Sequence, residues 1–145
     1  MRFLSTRVHG VLDYIMGILL IASPWIFNFA NEGPETNIPV ILGIGVIVYS
    51  FFTNYEMGAV KMISVNTHLW LDGLAGLFLA VSPWLFNFDE YIYVPHLVLG
   101  ILVVMAALTT QTVSTYRRSD FFVDRKIEKD RKTEKDRTRS THDIS

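Results

Sequence analysis

The chain contains no cysteine, which excludes disulfides, thiol catalysis and any metal held by thiolates. Positive charge is almost missing from most of its length: of thirteen Lys and Arg, only Arg2, Arg7 and Lys61 come before Arg117. The acids divide evenly about that point, seven before and seven after, so the formal net charge of −1 averages an apolar body and a charged tail. No nucleophile–base pair, phosphate-cradling loop or cofactor motif is visible, so the expectation is a protein that is not an enzyme and carries no cofactor. Strand-like alternation of apolar and polar residues is absent as well.

The body instead holds four long, nearly uncharged runs, Val8–Phe29, Ile38–Tyr55, Leu69–Phe88 and Ile92–Val113, of 18 to 22 residues each. An α-helix needs about 20 apolar residues to cross a hydrocarbon core, and lipid admits only helices or closed barrels. The expected fold is therefore all-α, with four transmembrane helices. Arg2 and Arg7 ahead of the first run give it the outline of a signal peptide. The same segment recurs inside the chain, however, where it cannot be a targeting signal, so the expectation is a retained span.

That recurrence organises the body. His9 to Phe29, HGVLDYIMGILLIASPWIFNF, returns 59 positions later as His68 to Phe88, HLWLDGLAGLFLAVSPWLFNF, with eleven of 21 positions identical. The matches include His, Asp, Gly, Ser-Pro-Trp and Phe-Asn-Phe, so the chain is internally duplicated. The second helices align more loosely: Ile38-Pro39-Val40-Ile41-Leu42-Gly43 resembles Val94-Pro95-His96-Leu97-Val98-Leu99-Gly100 with one residue inserted. Both prolines are expected where a helix starts, where a missing N–H costs least. The expected organisation is a transmembrane domain over residues 1–115, with one repeat at about 5–56 and another at about 64–113, followed by a charged tail over 116–145.

Loop charge predicts topology. Basic residues occur in the N-terminus, in Asn54–Thr67 and in the tail; Ala30–Asn37 and Asp89–Tyr91 carry acids and no Lys or Arg. The positive-inside rule then puts both termini in the cytoplasm, with the protein in the cell membrane. Each repeat crosses twice, so the two are parallel and are expected to be related by a pseudo-twofold axis along the membrane normal.

At about 100° per residue, His9, Leu12, Asp13, Gly17, Leu20, Ser23 and Pro24 share an arc of roughly 140°. Val11, Ile15 and Ile18, with Trp70, Leu74 and Leu77 in the second copy, form an opposite face suited to lipid. The duplicated face is expected to pack inward, helix against its own repeat copy, with Gly17 and Gly76 allowing close backbone approach. Pro24 and Pro83 remove a backbone bond and predict a kink or a helix end. Ser23 and Ser82 are placed to satisfy the carbonyls so freed. Trp25 and Trp84, with the phenylalanines after them, are expected at the outer interface.

These residues carry a resemblance. Ser23-Pro24-Trp25 and Ser82-Pro83-Trp84, each in an apolar helix, followed by an aromatic-Asn stretch and separated by a further apolar helix, look like the SPW-repeat family over about residues 5–113. Proteins of that family are small multi-pass membrane proteins of bacteria and archaea, whose repeat is two transmembrane helices with the motif in the first. The family has no established activity, so the resemblance implies fold and location and leaves function open.

Chemistry, if any, is expected at His9 and Asp13 and at His68 and Asp72. A carboxylate within a span is costly and functional by default, His titrates near neutral pH, and a spacing of four puts each pair on one helix face. Three readings follow: a structural network pairing each His with an Asp, within a helix or across the repeat (His9 with Asp72, His68 with Asp13); proton or ion conduction; and a bound metal. The first is preferred, and no metal is expected, because the set lacks a conventional third-ligand pattern. His96 reads as an interface histidine, and Asn28 and Asn87 as caps. An outward pocket or a lipid- or quinone-directed enzyme at the Trp25/Trp84 rim is a weaker reading.

In the tail, Tyr116-Arg117-Arg118 is expected to anchor at the interface, and Ser119-Asp120 to cap a helix with Phe121, Phe122, Val123 and Ile127 on its apolar face. Beyond Glu128 the mixed charges fit helix or disorder. Nucleic acid is not an expected partner, because acids are interspersed with bases. The expected function is a structural or partner-binding membrane component, its partners the lipid bilayer and either a further copy or another membrane protein; the alternative is a small proton- or ion-coupled transporter or channel using the His/Asp pairs.

Overall fold

A computed structural model describes residues 3–112 and 123–135. The body folds as four helices, α1 (Thr6–Ile26), α2 (Pro34–Phe51), α3 (Val65–Leu85) and α4 (Val94–Thr109). Residues 123–135 of the tail, a separate unit, form a fifth helix with every residue exposed. The expectations at Tyr116-Arg117-Arg118 and Ser119 to Phe122 lie outside the described residues.

Local chemistry sets the helix starts. Ser5 and Ser64, again 59 residues apart, cap α1 and α3 by accepting the backbone N–H of Val8 and Thr67 at 3.3 and 3.1 Å; a hydroxyl at this position satisfies a donor that the helix cannot. α2 begins at Pro34 behind Gly33, so the first connection is shorter than expected and Pro39 lies inside the helix, where it is buried. Pro95 does stand in the first turn of α4.

The Ser-Pro-Trp tripeptides stop their helices by the same device twice. Each proline lacks the N–H that would bond the carbonyl four residues back, and Ser23 Oγ and Ser82 Oγ donate to the Leu20 and Leu79 carbonyls instead, both at 2.8 Å. The helix runs only two residues past the proline. Asn28 and Asn87 then adopt left-handed conformations, φ 55° and 56°. That reversal turns Phe29 N–H and Phe88 N–H back onto the Pro24 and Pro83 carbonyls at 2.8 and 2.9 Å, a Schellman closure with Asn in the place glycine usually takes.

α1 packs on α2 and α3 on α4, and the two hairpins meet through α2 with α3 and α1 with α4. Glycines allow the close contacts, but not where expected. A Cβ on Gly17 would fall 3.0 Å from the Gly43 carbonyl oxygen, and one on Gly76 would fall 2.8 Å from that of Gly100. Each duplicated glycine therefore meets the second helix of its own hairpin rather than its copy, because it is there that the backbones touch. Leu20 and Leu79, each 1% exposed, centre an apolar core with Ile38, Val46, Leu99 and Phe88. Val11, Ile15, Ile18, Trp70, Leu74 and Leu77 are exposed, and so, against the wheel, is Leu12.

α1, α2 and α3 are long and apolar enough to cross a membrane; α4 is apolar but has only 16 residues, about 24 Å of rise. It stops short of the predicted Val113 because Thr110 turns extended and pairs with Leu4, Leu4 N–H bonding the Thr109 carbonyl and Gln111 N–H that of Leu4, at 3.1 and 2.9 Å. Thr53 pairs likewise with Ile63 after α2. One bridge thus closes the end of each second helix against the segment leading into a first helix of the other hairpin.

Candidate functional site

Those two bridges frame the site. Inside them, within the first two turns or so of α1 and α3, His9, Asp13, His68 and Asp72 converge, all buried. Spacing of four stacks each His on the Asp of its own helix, with Nε2–Oδ separations of 3.4 Å for His9–Asp13 and 3.1 Å for His68–Asp72. The shorter links cross between hairpins: His9 Nε2 to Asp72 Oδ2 and His68 Nε2 to Asp13 Oδ2, both 2.9 Å. The four side chains form a closed ring in which each imidazole bridges both carboxylates. The two rings stand edge to face, 5.5 Å apart.

A shell of hydroxyls holds this ring. Thr53 Oγ1 donates to the Tyr49 carbonyl at 2.7 Å and Thr110 Oγ1 to the Ala106 carbonyl at 2.6 Å. A hydroxyl has one proton to give, so each oxygen must accept from the imidazole it also touches: His68 Nδ1 at 2.8 Å and His9 Nδ1 at 3.0 Å. Nδ1 is a donor in both residues, and Nε2 is a donor too, because the carboxylates it meets can only accept. The carboxylates are held too. Tyr49 donates to Asp72 Oδ1, and Tyr55 to Asp13 Oδ2 at 3.4 Å. Burial pushes the Tyr55 phenol up, and the Asp13 carboxylate adds to that shift, so it remains a donor. The Tyr55 ring occupies the space that a side chain at Gly10 would need.

Sequence reasoning brought together the four ring residues and missed Thr53, Thr110, Tyr49 and Tyr55. A signal for the threonines existed: the alignment of Gly43 with Gly100, carried on past the inserted residue, equates Thr53 with Thr110. The same alignment equates Tyr49 with Ala106, the two residues whose carbonyls take the threonine protons. On the Tyr49 side a phenol ring fills the seam and packs 4.9 Å from the His68 ring. On the Ala106 side there is a cavity of about 190 Å³ between α1 and α4, whose walls include His9, Asp13, Asp72, Val103 and Ala106.

The remaining predicted positions lie at the other end of the helices. His96 is not an interface residue: it is 1% exposed, sits between Phe29 and Phe88 and donates from Nε2 to the Glu35 carbonyl at 2.9 Å. Its place two residues into α4 turns it into the core rather than out to the boundary. Trp25 and Trp84 are exposed, and Trp84 lies 5.8 Å from the Tyr93 ring. The duplicated tripeptide is a helix stop there, while the convergent polar chemistry stays at the opposite end.

A family model described as the SPW repeat domain matches residues 7–110. Comparison with curated proteins and with solved structures finds no match.

Proposed function

The chain belongs to the SPW-repeat family, and from that premise we propose that it is a structural or partner-binding membrane component whose two hairpins are clasped by the His9–Asp13–His68–Asp72 ring. The observation that carries this reading is the pair of 2.9 Å bonds joining α1 to α3. Lipid tails supply no hydrophobic force to press helices together, so polar contacts and close packing must do it. The glycine contacts close each hairpin on itself; the ring joins one hairpin to the other. Such a link is strong in a low-dielectric interior because any member left alone is a buried, unpaired polar group.

On this reading α4 also crosses the membrane, giving four spans, and the repeats are related by a pseudo-twofold axis along the membrane normal. The matched caps, bridges and threonine contacts support that relation. The charge asymmetry of the loops puts both termini in the cytoplasm of a cell whose surface membrane holds the protein, with the ring toward the cytoplasmic side. The clasp is tested on the metal-free protein in detergent: Asp13→Asn with Asp72→Asn lowers the unfolding midpoint and loosens the association of the hairpins. An unchanged midpoint contradicts the clasp.

A second reading, a small proton- or ion-coupled transporter, is favoured by the cavity beside the carboxylates. Against it, the space among Leu20, Leu42, Val46, Leu79 and Val103 has no room for a water, so a continuous wet path needs movement of the helices. Ion or proton flux in proteoliposomes, abolished by the same double substitution in a folded protein, would establish transport in place of the clasp.

A further inference from the structure

We propose that the ring is a binding site for one divalent transition-metal ion, with Zn²⁺ the best fit; the proposal deepens the clasp, since the same four side chains would hold both the ion and the two hairpins. One ligand atom from each of His9, Asp13, His68 and Asp72 can be chosen so that all lie within 4.8 Å of one another. Zn²⁺ takes nitrogen and carboxylate ligands at about 2.0–2.1 Å in a tetrahedron, whose edges are then roughly 3.3 Å. Asp72 Oδ2 lies 2.9 Å from His9 Nε2 and 3.1 Å from His68 Nε2, while Asp13 meets His68 Nε2 through Oδ2 at 2.9 Å and His9 Nε2 through Oδ1 at 3.4 Å. The N–O pairs are thus already near a tetrahedral edge, and closing on an ion means drawing together the widest pair of the set, which lies within 4.8 Å.

The surroundings are those a metal ligand set needs. A ligating imidazole offers one nitrogen and is oriented through the other by a hydrogen bond, and ligating carboxylates are themselves held. Here the threonine protons are committed to backbone carbonyls, so Nδ1–H of each histidine faces its threonine, and Nε2, on releasing to solvent the proton it shares with a carboxylate, offers its lone pair to the centre. Tyr49 and Tyr55 hold the two carboxylates. Two neutral imidazoles and two carboxylates sum to a charge of −2, which one divalent ion cancels at a site where unbalanced charge is costly. Mg²⁺ and Ca²⁺ fit poorly, because they ask for six or more oxygens, and the ring offers two carboxylates and two nitrogens. The cavity at the α1/α4 seam, walled in part by His9, Asp13 and Asp72, gives an ion a way in that does not require the hairpins to separate.

The test uses the full chain without an affinity tag, in detergent micelles, stripped with a chelator and titrated with Zn²⁺ and separately with Co²⁺. The expected result is one Zn²⁺ per chain, a higher unfolding midpoint, and a visible Co²⁺ absorption of the tetrahedral type, with Mg²⁺ and Ca²⁺ without effect. His68→Gln should abolish both signals. Thr53→Ala, which leaves every ligand in place, should weaken Zn²⁺ about 10–100-fold and alter the Co²⁺ band. A folded wild-type chain with no saturable Zn²⁺ binding and no Co²⁺ band overturns the proposal, as does binding that His68→Gln leaves intact. The clasp is judged separately on the stripped protein, where the double Asp→Asn variant either melts below wild type or does not, whatever Zn²⁺ does.

Discussion

The two hairpins of this protein share their caps, their helix stops, their glycine contacts and their His–Asp pairs, and differ where each second helix passes the ring. The first hairpin has Tyr49, whose ring packs on His68 and whose hydroxyl donates to Asp72; the second has Ala106, and a cavity in its place. Residues that complete the ring are alike in both halves, while the residue beside it is free to differ. The difference teaches that the ring is a joint product of both hairpins and that access to it is a property of one.

Removing a ring carboxylate tests this most severely. Asp72, with bonds to His9 and Tyr49 and a contact to His68, is better supplied with donors than Asp13, whose Tyr55 contact is long. Asp72→Ala should therefore cost about 3–5 kcal/mol, the range for breaking a buried pair from one side, and Asp13→Ala about 1 kcal/mol less, one hydrogen bond's worth. Unfolding curves of the two variants side by side would show it, and equal losses would mean that the Tyr49 bond is idle.

A smaller effect is expected where the halves agree. Gly43→Ala and Gly100→Ala each place a methyl against a backbone carbonyl of the facing helix, at 2.6 and 2.5 Å. Both should lose about 1–3 kcal/mol, as overpacked sites do, and by similar amounts. A large inequality would break the equivalence of the two hairpin contacts.

At the position of difference the effects should be smallest and opposite in kind. Tyr49→Phe keeps the packing and leaves Asp72 one donor short, at about 1–2 kcal/mol. Ala106→Phe should be accommodated by the existing cavity within about 1 kcal/mol, and should slow the uptake of Zn²⁺ or Co²⁺ while leaving the equilibrium affinity in place. Fast uptake by a folded Ala106→Phe chain would show that the seam is not the way in.

Much of this was legible in the residues themselves. The duplication put His9, Asp13, His68 and Asp72 on matching faces, and the cross pairing was among the arrangements it allowed. The proline–serine compensation and the asparagine caps followed from backbone chemistry alone. What escaped notice had physical reasons. Thr53 and Thr110 lie beyond a one-residue insertion, at helix ends that depend on bridges to Ile63 and Leu4 far along the chain. Tyr49 within an apolar run reads as any aromatic, since its hydroxyl matters only once Asp72 is across from it. His96 was misplaced because a histidine next to a helix-starting proline resembles a boundary residue, and nothing local shows that Phe29, Phe88 and the Glu35 carbonyl enclose it.

Bonds between the hairpins hold the two halves together, and a double-mutant cycle on one of them is the most direct measurement. His9→Gln, Asp72→Asn and the pair, unfolded in detergent without metal, should give a coupling energy of about 1–3 kcal/mol, as contacting members of one network do. Additivity within about 0.5 kcal/mol would mean that His9 and Asp72 act independently, and would contradict the clasp.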